Sequence, residues 1–257
     1  MDWYMYLAVI AAGLFAGFVN TLAGSGSLIT LPLLMFLGLP ANVANGTNRI
    51  GVLVQSLVSS ISFRKQKLYT VDEGLWMSVP AVAGALLGSL IAVRINERIM
   101  ELMIGGLLIV MFFIILYKPE QWVRDHAQSA AMRRRWWVPV VFFFIGIYGG
   151  FIQAGVGFFL LGALVLGAGM GLTRANAHKV LIVAAMTTIA LIVFILSDQV
   201  YYLYGIIIAI GQGIGGWLAS RVAVSWGPKV VRIILLVAIL ASAVKLTGLF
   251  DVVARLF

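Results

Sequence analysis

The sequence predicts an all-α, polytopic integral membrane protein made of two inverted repeats of about five membrane segments each, some of them short or re-entrant. Three observations predict it. The first is composition: 62% of the 257 residues are hydrophobic and only 11% are charged, with a mean hydropathy of +1.07. Soluble domains average about 45–50% apolar and about 25% charged, so this chain has too little polar material to cover a water-facing surface. The second is segmentation into apolar stretches near the roughly 20 residues that cross a bilayer. The third is an internal duplication.

In order, the predicted segments are 3–23, 27–39, 48–63, 74–93 and 99–117, then 137–154, 157–171, 180–196, 200–220 and 230–249. The start, MDWYMYLAVIAAG, lacks a basic region and reads as a retained helix, not a cleaved leader. Segment 27–39 is short, and 137–171 must hold two segments, so these pieces are expected to be tilted, broken or re-entrant. The duplication explains the count. GLFAGFVNTLAG (13–24) matches GIYGGFIQAGVG (146–157), pairing Gly24 with Gly157 and Asn20 with Gln153. AN at 44–45 matches AN at 175–176, and GALLGSLIAVR (84–94) matches GQGIGGWLASR (211–221). Three blocks in one order indicate a repeat. The organisation expected is a first membrane repeat (1–117), a basic cytoplasmic linker (118–136) and a second membrane repeat (137–257).

Charge sets the orientation. The chain carries 18 Lys+Arg against 9 Asp+Glu, and the basic residues cluster between apolar segments, where they face the cytoplasm and anionic headgroups. Nucleic acid is therefore no expected partner; the lipid bilayer is. With RKQK (64–67) inside and five crossings per half, only Arg49, Arg94, Arg98, Lys245 and Arg255 of the 18 basic residues remain outside or at membrane depth. The repeats are then inverted, and both termini are extracytoplasmic. With no cysteine and two histidines, thiol chemistry and histidine-rich metal sites are excluded. No cofactor is expected, and homo-oligomerisation is left open.

The stretch NTLAGSGSLITLP (20–32) places helix-breaking residues inside an uncharged run from Trp3 to Asn48. A break at membrane depth needs internal partners or a water-lined cavity. Gly24, Ser25, Gly26 and Ser27 would give the next segment a helix N-terminus with free N–H donors, and Gly155 and Gly157 supply the matching break. Inverted-repeat transporters seat anions at such discontinuous helices. Asn20 and Gln153 are placed either to bind substrate oxygens or to satisfy broken backbone. Arg49 and Lys179, near the starts of segments 48–63 and 180–196, either attract anions at two mouths of one pathway or snorkel to the interface. Asn176 completes the candidate set. Glycines four apart (Gly13/Gly17, Gly84/Gly88, Gly146/Gly150, Gly211/Gly215) read as helix-packing contacts, and Gln55 and Gln212 as interhelical hydrogen bonds.

The stretch AGSGSLITLPLLMFLGLPANVANGTNR (23–49), its counterpart GLTRANAHKV (171–180) and SWGPKVVR (225–232) resemble the signature of the TauE/SafE family of membrane permeases, the sulfite exporters. The resemblance spans nearly the whole chain. It implies a bacterial inner-membrane permease for a small inorganic or organosulfur anion, sulfite or an organosulfonate such as sulfoacetate. Many members carry aspartate where this chain has Asn20 and Gln153, so the resemblance gives no carboxylate proton relay at those positions. Two other function classes stand beside it: a membrane scaffold or accessory subunit, and an intramembrane serine hydrolase using Ser25 and His178, which requires those two side chains in hydrogen-bond reach.

Overall fold

A computed structural model describes residues 3–69, 71–117 and 136–222. The linker from 118 to 135, the predicted segment 230–249 and SWGPKVVR lie outside these residues. Within them the chain is helical throughout: α1 (Trp3–Ala23), α2 (Ser27–Phe36), α3 (Ala41–Lys65), α4 (Val71–Ala92), α5 (Glu97–Tyr117), α6 (Val138–Phe151), α7 (Val156–Gly162, continued by a π-helical turn Ala163–Gly167), α8 (Leu172–Leu196) and α9 (Tyr202–Val222). Among the described residues, α1, α8 and α9 hold apolar stretches long enough to cross a bilayer. The outward faces confirm apolar surroundings: Leu7, Ile61, Val79, Leu102, Phe144 and Ile206 are each more than half exposed. In water such a surface would aggregate; in lipid it is the solvent-matched one.

Segments 3–23 and 99–117 fall where the hydropathy put them. Segments 48–63 and 180–196 do not: α3 and α8 begin at Ala41 and Leu172, about two turns earlier. Their first turns carry Asn42, Asn45, Asn48, Arg174, Asn176 and His178, which hydropathy reads as loop. Segment 27–39 stops at Phe36; at 1.5 Å per residue its ten residues rise about 15 Å, half of the roughly 30 Å hydrocarbon core. Segment 157–171 is shorter still as regular α-helix and finishes in the π turn.

Glycine determines which helices meet. A Cβ on Gly17 would lie 2.3 Å from the Gln212 carbonyl oxygen, and one on Gly215 would lie 1.9 Å from that of Leu14, so α1 packs backbone to backbone on α9. α6 and α4 repeat the arrangement: a Cβ on Gly150 would lie 2.1 Å from Ala85 O, and one on Gly88 2.0 Å from Ile147 O. Small residues thus permit close approach where lipid gives helices no hydrophobic drive to associate. Both glued pairs join a helix of the first half to one of the second. Replacing Gly17 with Ala should therefore lower detergent-solubilised thermal stability by about 1–3 kcal/mol. Gly105→Ala, where a Cβ meets nothing within 4 Å, should instead be neutral or stabilising by up to about 1 kcal/mol through helix propensity. Thermal unfolding of the two variants compares them.

At the centre α3 and α8 pack antiparallel. Phe63, near the end of α3, clusters with Ala177 and Val180 early in α8, whereas Gly46 abuts Phe194 and Gln199 at the other end. The backbone repeats as well. The residues with positive φ pair as Gly24 with Gly155, Gly38 with Gly169 and Lys67 with Asp198, and one interval of sequence separates the members of every pair. Gln66 Nε2 donates to Ser220 O at 3.1 Å, and Gln199 Nε2 to Val93 O at 2.9 Å, closing the ends of α3 and α8 alike. This backbone register differs by two residues from the sequence pairing of Gly24 with Gly157. The reason is local: α6 ends at Phe151 and opens a longer connection than the one after α1, so Asn20 is helical and Gln153 is not.

Candidate functional site

The two breaks touch. Gly24 (φ +75°), directly after α1, and Gly155 (φ +72°), directly before α7, both adopt the left-handed region that glycine tolerates. The Gly157 N–H donates to Gly24 O at 3.1 Å, and a Cβ added to either Gly24 or Gly157 would lie 2.2 Å from the other's Cα. Met111 of α5 lies over Gly155, where a Cβ would come within 2.6 Å of its methyl. Both breaks are buried.

Each break receives one buried cation from the opposite half. Lys179 is 1% exposed, and its ammonium donates to Asn20 O at 3.0 Å and Thr21 O at 2.8 Å. These carbonyls belong to the last turn of α1, which carries the negative end of the dipole; Asn20 O also accepts from the Gly24 N–H at 2.8 Å, and Lys179 adds a second donor. Arg49 is fully buried and serves α6 in the same way. It donates to Gly149 O at 3.2 Å and to Gly150 O at 2.7 Å, and its guanidinium lies 4.6 Å from the centre of the Phe194 ring. The expectation of cations at two separate mouths, or snorkelling to the interface, is thereby corrected. Both side chains start two turns inside α3 and α8 and point to helix ends at the crossing. Among the described residues neither has a carboxylate partner; the ion pair found there is Arg98–Glu101 at 3.0 Å, on the exposed start of α5.

The polar side chains around the breaks are tied mainly to one another. Asn20 Oδ1 accepts from Gly26 N at 3.3 Å, and its Nδ2 donates to Gln55 Oε1 at 2.6 Å. Gln55 Nε2 donates to Thr21 Oγ1 at 2.6 Å, and Thr21 meets Ser59 Oγ at 2.9 Å. Asn48 Nδ2 donates to Ser27 Oγ at 3.0 Å, and Thr30 Oγ1 donates to Asn48 Oδ1 at 2.5 Å. In the second half Gln153 Nε2 donates to Thr187 Oγ1. Among the described residues, Ser25 Oγ and Arg49 Nε remain buried donors without a protein partner, and Gln153 Oε1, Asn176 Oδ1 and Gln212 Oε1 buried acceptors without one. Ser25 thus makes no hydrogen bond to His178, whose Nδ1 faces Arg174 O at 2.9 Å. Asn48→Leu should cost about 1–3 kcal/mol, because it strands the Ser27 hydroxyl in the interior and leaves Thr30 Oγ1 only its longer bond to Gly26 O at 3.5 Å; a thermal-unfolding comparison with the unchanged chain measures it.

A family profile, sulfite exporter TauE/SafE, matches residues 9–246. The chain belongs to the TauE/SafE family. Its similarity to known members is spread along its length. It is 28% identical to "Probable membrane transporter protein ORF9" of Sinorhizobium sp, over 96% of this chain and 94% of that protein. It is likewise 28% identical to "Probable membrane transporter protein YfcA" of Escherichia coli K12, over 90% and 85%. A "Probable membrane transporter protein" of Haemophilus influenzae is 26% identical over 88% of both chains. No solved structure matches the chain. The chain is accordingly a multi-pass membrane transporter of the TauE/SafE family.

For this TauE/SafE protein the structure brings Asn20, Gly24, Gly26, Gly155, Gly157, Arg49 and Lys179 to one crossing, with Ser25 and Ser27 in the first break and Gln153 in the second. Asn176 sits one helical turn before Lys179 on α8. Sequence reasoning missed Asn45, Asn48, Thr21 and Gln55 as members of this cluster. Asn45 Nδ2 caps Phe151 O at 2.8 Å and its Oδ1 accepts from Arg49 at 3.4 Å. A signal existed: Asn45, Asn48, Gln55 and Ser59 are spaced by three, seven and four residues, which puts them on one polar face of α3.

Proposed function

We propose that the protein transports a small sulfur-containing anion, sulfite or an organosulfonate, across the bacterial inner membrane by alternating access between two inverted repeats, with both termini extracytoplasmic. The observation that carries this reading is the pair of buried cations, Arg49 and Lys179, at the contact of the two breaks, with no carboxylate beside them among the described residues. A helix C-terminus offsets about half a unit charge, so the carbonyl ends of α1 and α6 leave part of each cation's charge uncompensated. A small oxyanion supplies the missing charge. The unspent donors Arg49 Nε and Ser25 Oγ, with the glycine amides, suit its oxygens. The antiparallel packing of α3 on α8 and the paired left-handed residues support the inverted relation.

The glued pairs refine how such a protein would move. Because α1 is bound to α9 and α4 to α6 through glycine, the bodies that rock are mixed ones, α1–α9 with α3 against α4–α6 with α8. The cations then tie one body to the other across the α3/α8 seam. Flux in proteoliposomes with sulfite, thiosulfate, sulfate and sulfoacetate, with and without a pH gradient, tests the reading. Saturable movement of sulfite or sulfoacetate is expected; a protein that moves none of the four is not a sulfur-anion transporter.

A further inference from the structure

The polar stripe on α3 does not stop at the breaks. Beyond Gln55, Ser56 and Ser59 come Ser60, whose hydroxyl meets the Tyr69 hydroxyl at 2.8 Å, and Ser62, which accepts from Ser220 Oγ at 2.7 Å. The stripe therefore runs from the Lys179 ammonium to the turn bearing Arg64, Lys65 and Lys67. Gly216 of α9 forms its floor, where a Cβ would lie 2.7 Å from Ser59 Oγ. Tyr69, at its far end, packs edge-on against His178, next to Lys179.

The second half keeps little of this feature. In the register of the left-handed pairs, Ser56 is matched on α8 by the buried hydroxyl of Thr187, but the residues matching Gln55, Ser59 and Ser60 are Met186, Ala190 and Leu191. In the same register Thr21 of α1 is matched by Ile152, just past the end of α6. Two half-routes of the same backbone geometry thus differ in lining. Buried hydroxyls and amides that part from one another can exchange protein partners for water at small net cost, whereas wetting methyl groups is opposed by the hydrophobic effect.

We infer that Thr21, Gln55, Ser59 and Ser60 line a hydratable half-route that connects the buried cations to the face bearing the RKQK turn, and that its α8 counterpart, lined by Met186, Ala190 and Leu191, opens as a drier one. The inference rests on the transport reading for its solute, a hydrated anion, but predicts water access independently of it. The basic turn at the mouth raises the local anion concentration, and the hydroxyls offer donors along the way.

The chain has no cysteine, so single-cysteine labelling tests the route directly. Ser59→Cys, Ser60→Cys, Ala190→Cys and Leu191→Cys are treated with a membrane-impermeant anionic thiosulfonate from each face of oriented vesicles. Lys65→Cys serves as the exposed reference and Ile61→Cys as the lipid-facing one. Each protein is first shown by gel filtration to be folded, and Ser60→Cys stands in should Ser59→Cys fail. Labelling of the Ser59 and Ser60 variants is expected about tenfold faster than that of the Ala190 and Leu191 variants, from the Lys65 face only and slowed by sulfoacetate. Equal rates on α3 and α8, or no labelling of α3 where Lys65→Cys reacts, would overturn the inference. Labelling as expected without flux of any sulfur anion would leave the route standing and remove the transport reading instead.

Discussion

Exchanging Lys179 for Gln is expected to abolish most anion flux while leaving a folded protein. The ammonium does two things at once: it satisfies the Asn20 and Thr21 carbonyls and it brings a charge to the crossing. A glutamine amide keeps a donor for those carbonyls and removes the charge. A hydrogen bond to a charged group contributes about 1.5–3 kcal/mol, so flux should fall roughly tenfold to a hundredfold. Lys179→Met removes both functions and takes the ammonium from the Thr21 carbonyl, at about 1–3 kcal/mol, while Asn20 O keeps the Gly24 N–H. The methionine variant should therefore lose folded yield as well as flux. Arg49→Gln should behave like Lys179→Gln, because Asn45 still caps Phe151. Flux per reconstituted protein, read beside thermal unfolding, separates charge from capping. Parallel loss of flux and stability in the glutamine variants would mean that the cations are structural caps only.

Gly157→Ala and Gly24→Ala are expected to prevent normal assembly. Either methyl must displace a backbone atom now 2.2 Å away, and backbone on both sides belongs to packed helix ends. Overpacking of a rigid core typically costs about 1–3 kcal/mol, sometimes more. At Gly24 the left-handed φ adds about 1–2 kcal/mol, so Gly24→Ala should be the worse of the two. Gly38→Ala isolates that strain, since Gly38 has φ +90° and nothing within 4 Å of its would-be Cβ. It should cost about 1–2 kcal/mol and leave flux intact. Monodisperse yield from detergent and unfolding temperature, measured for the three variants, give the ranking Gly24, Gly157, Gly38.

The parts of the architecture written into local composition were legible without the structure. Apolar length located α1 and α5 almost to the residue, and glycines spaced by four identified the faces along which α1 meets α9 and α6 meets α4. Hydropathy failed at the starts of α3 and α8, because Asn45, Asn48, Asn176 and Lys179 are polar residues inside membrane helices whose partners come from elsewhere in the fold. Nothing near Arg49 in the sequence announces the Gly149 and Gly150 carbonyls, which lie in the other half of the chain. The same limit explains the reading of Arg49 and Lys179 as mouth or anchor residues: an unpaired cation in an apolar segment normally seeks the interface, unless a broken helix offers carbonyls at depth. The repeat was visible, but its register through the break was not. Identity matching aligned Gly24 with Gly157, whereas the backbone pairs Gly24 with Gly155 and sets Gly157 against Gly24 in space.

The claim on which the rest depends is that a small sulfur oxyanion is held at the crossing by Arg49 and Lys179. Ligand-dependent thermal unfolding in detergent measures it without requiring turnover. A ligand that binds only the folded state stabilises it by about 2.7 kcal/mol at a hundredfold excess over Kd. Titrating sulfoacetate or sulfite against chloride at constant ionic strength should raise the unfolding temperature of the unchanged protein. The rise should be absent from a folded Arg49→Gln or Lys179→Gln protein. No rise in the unchanged protein, or an equal rise in the glutamine variants, would contradict the assignment of the site.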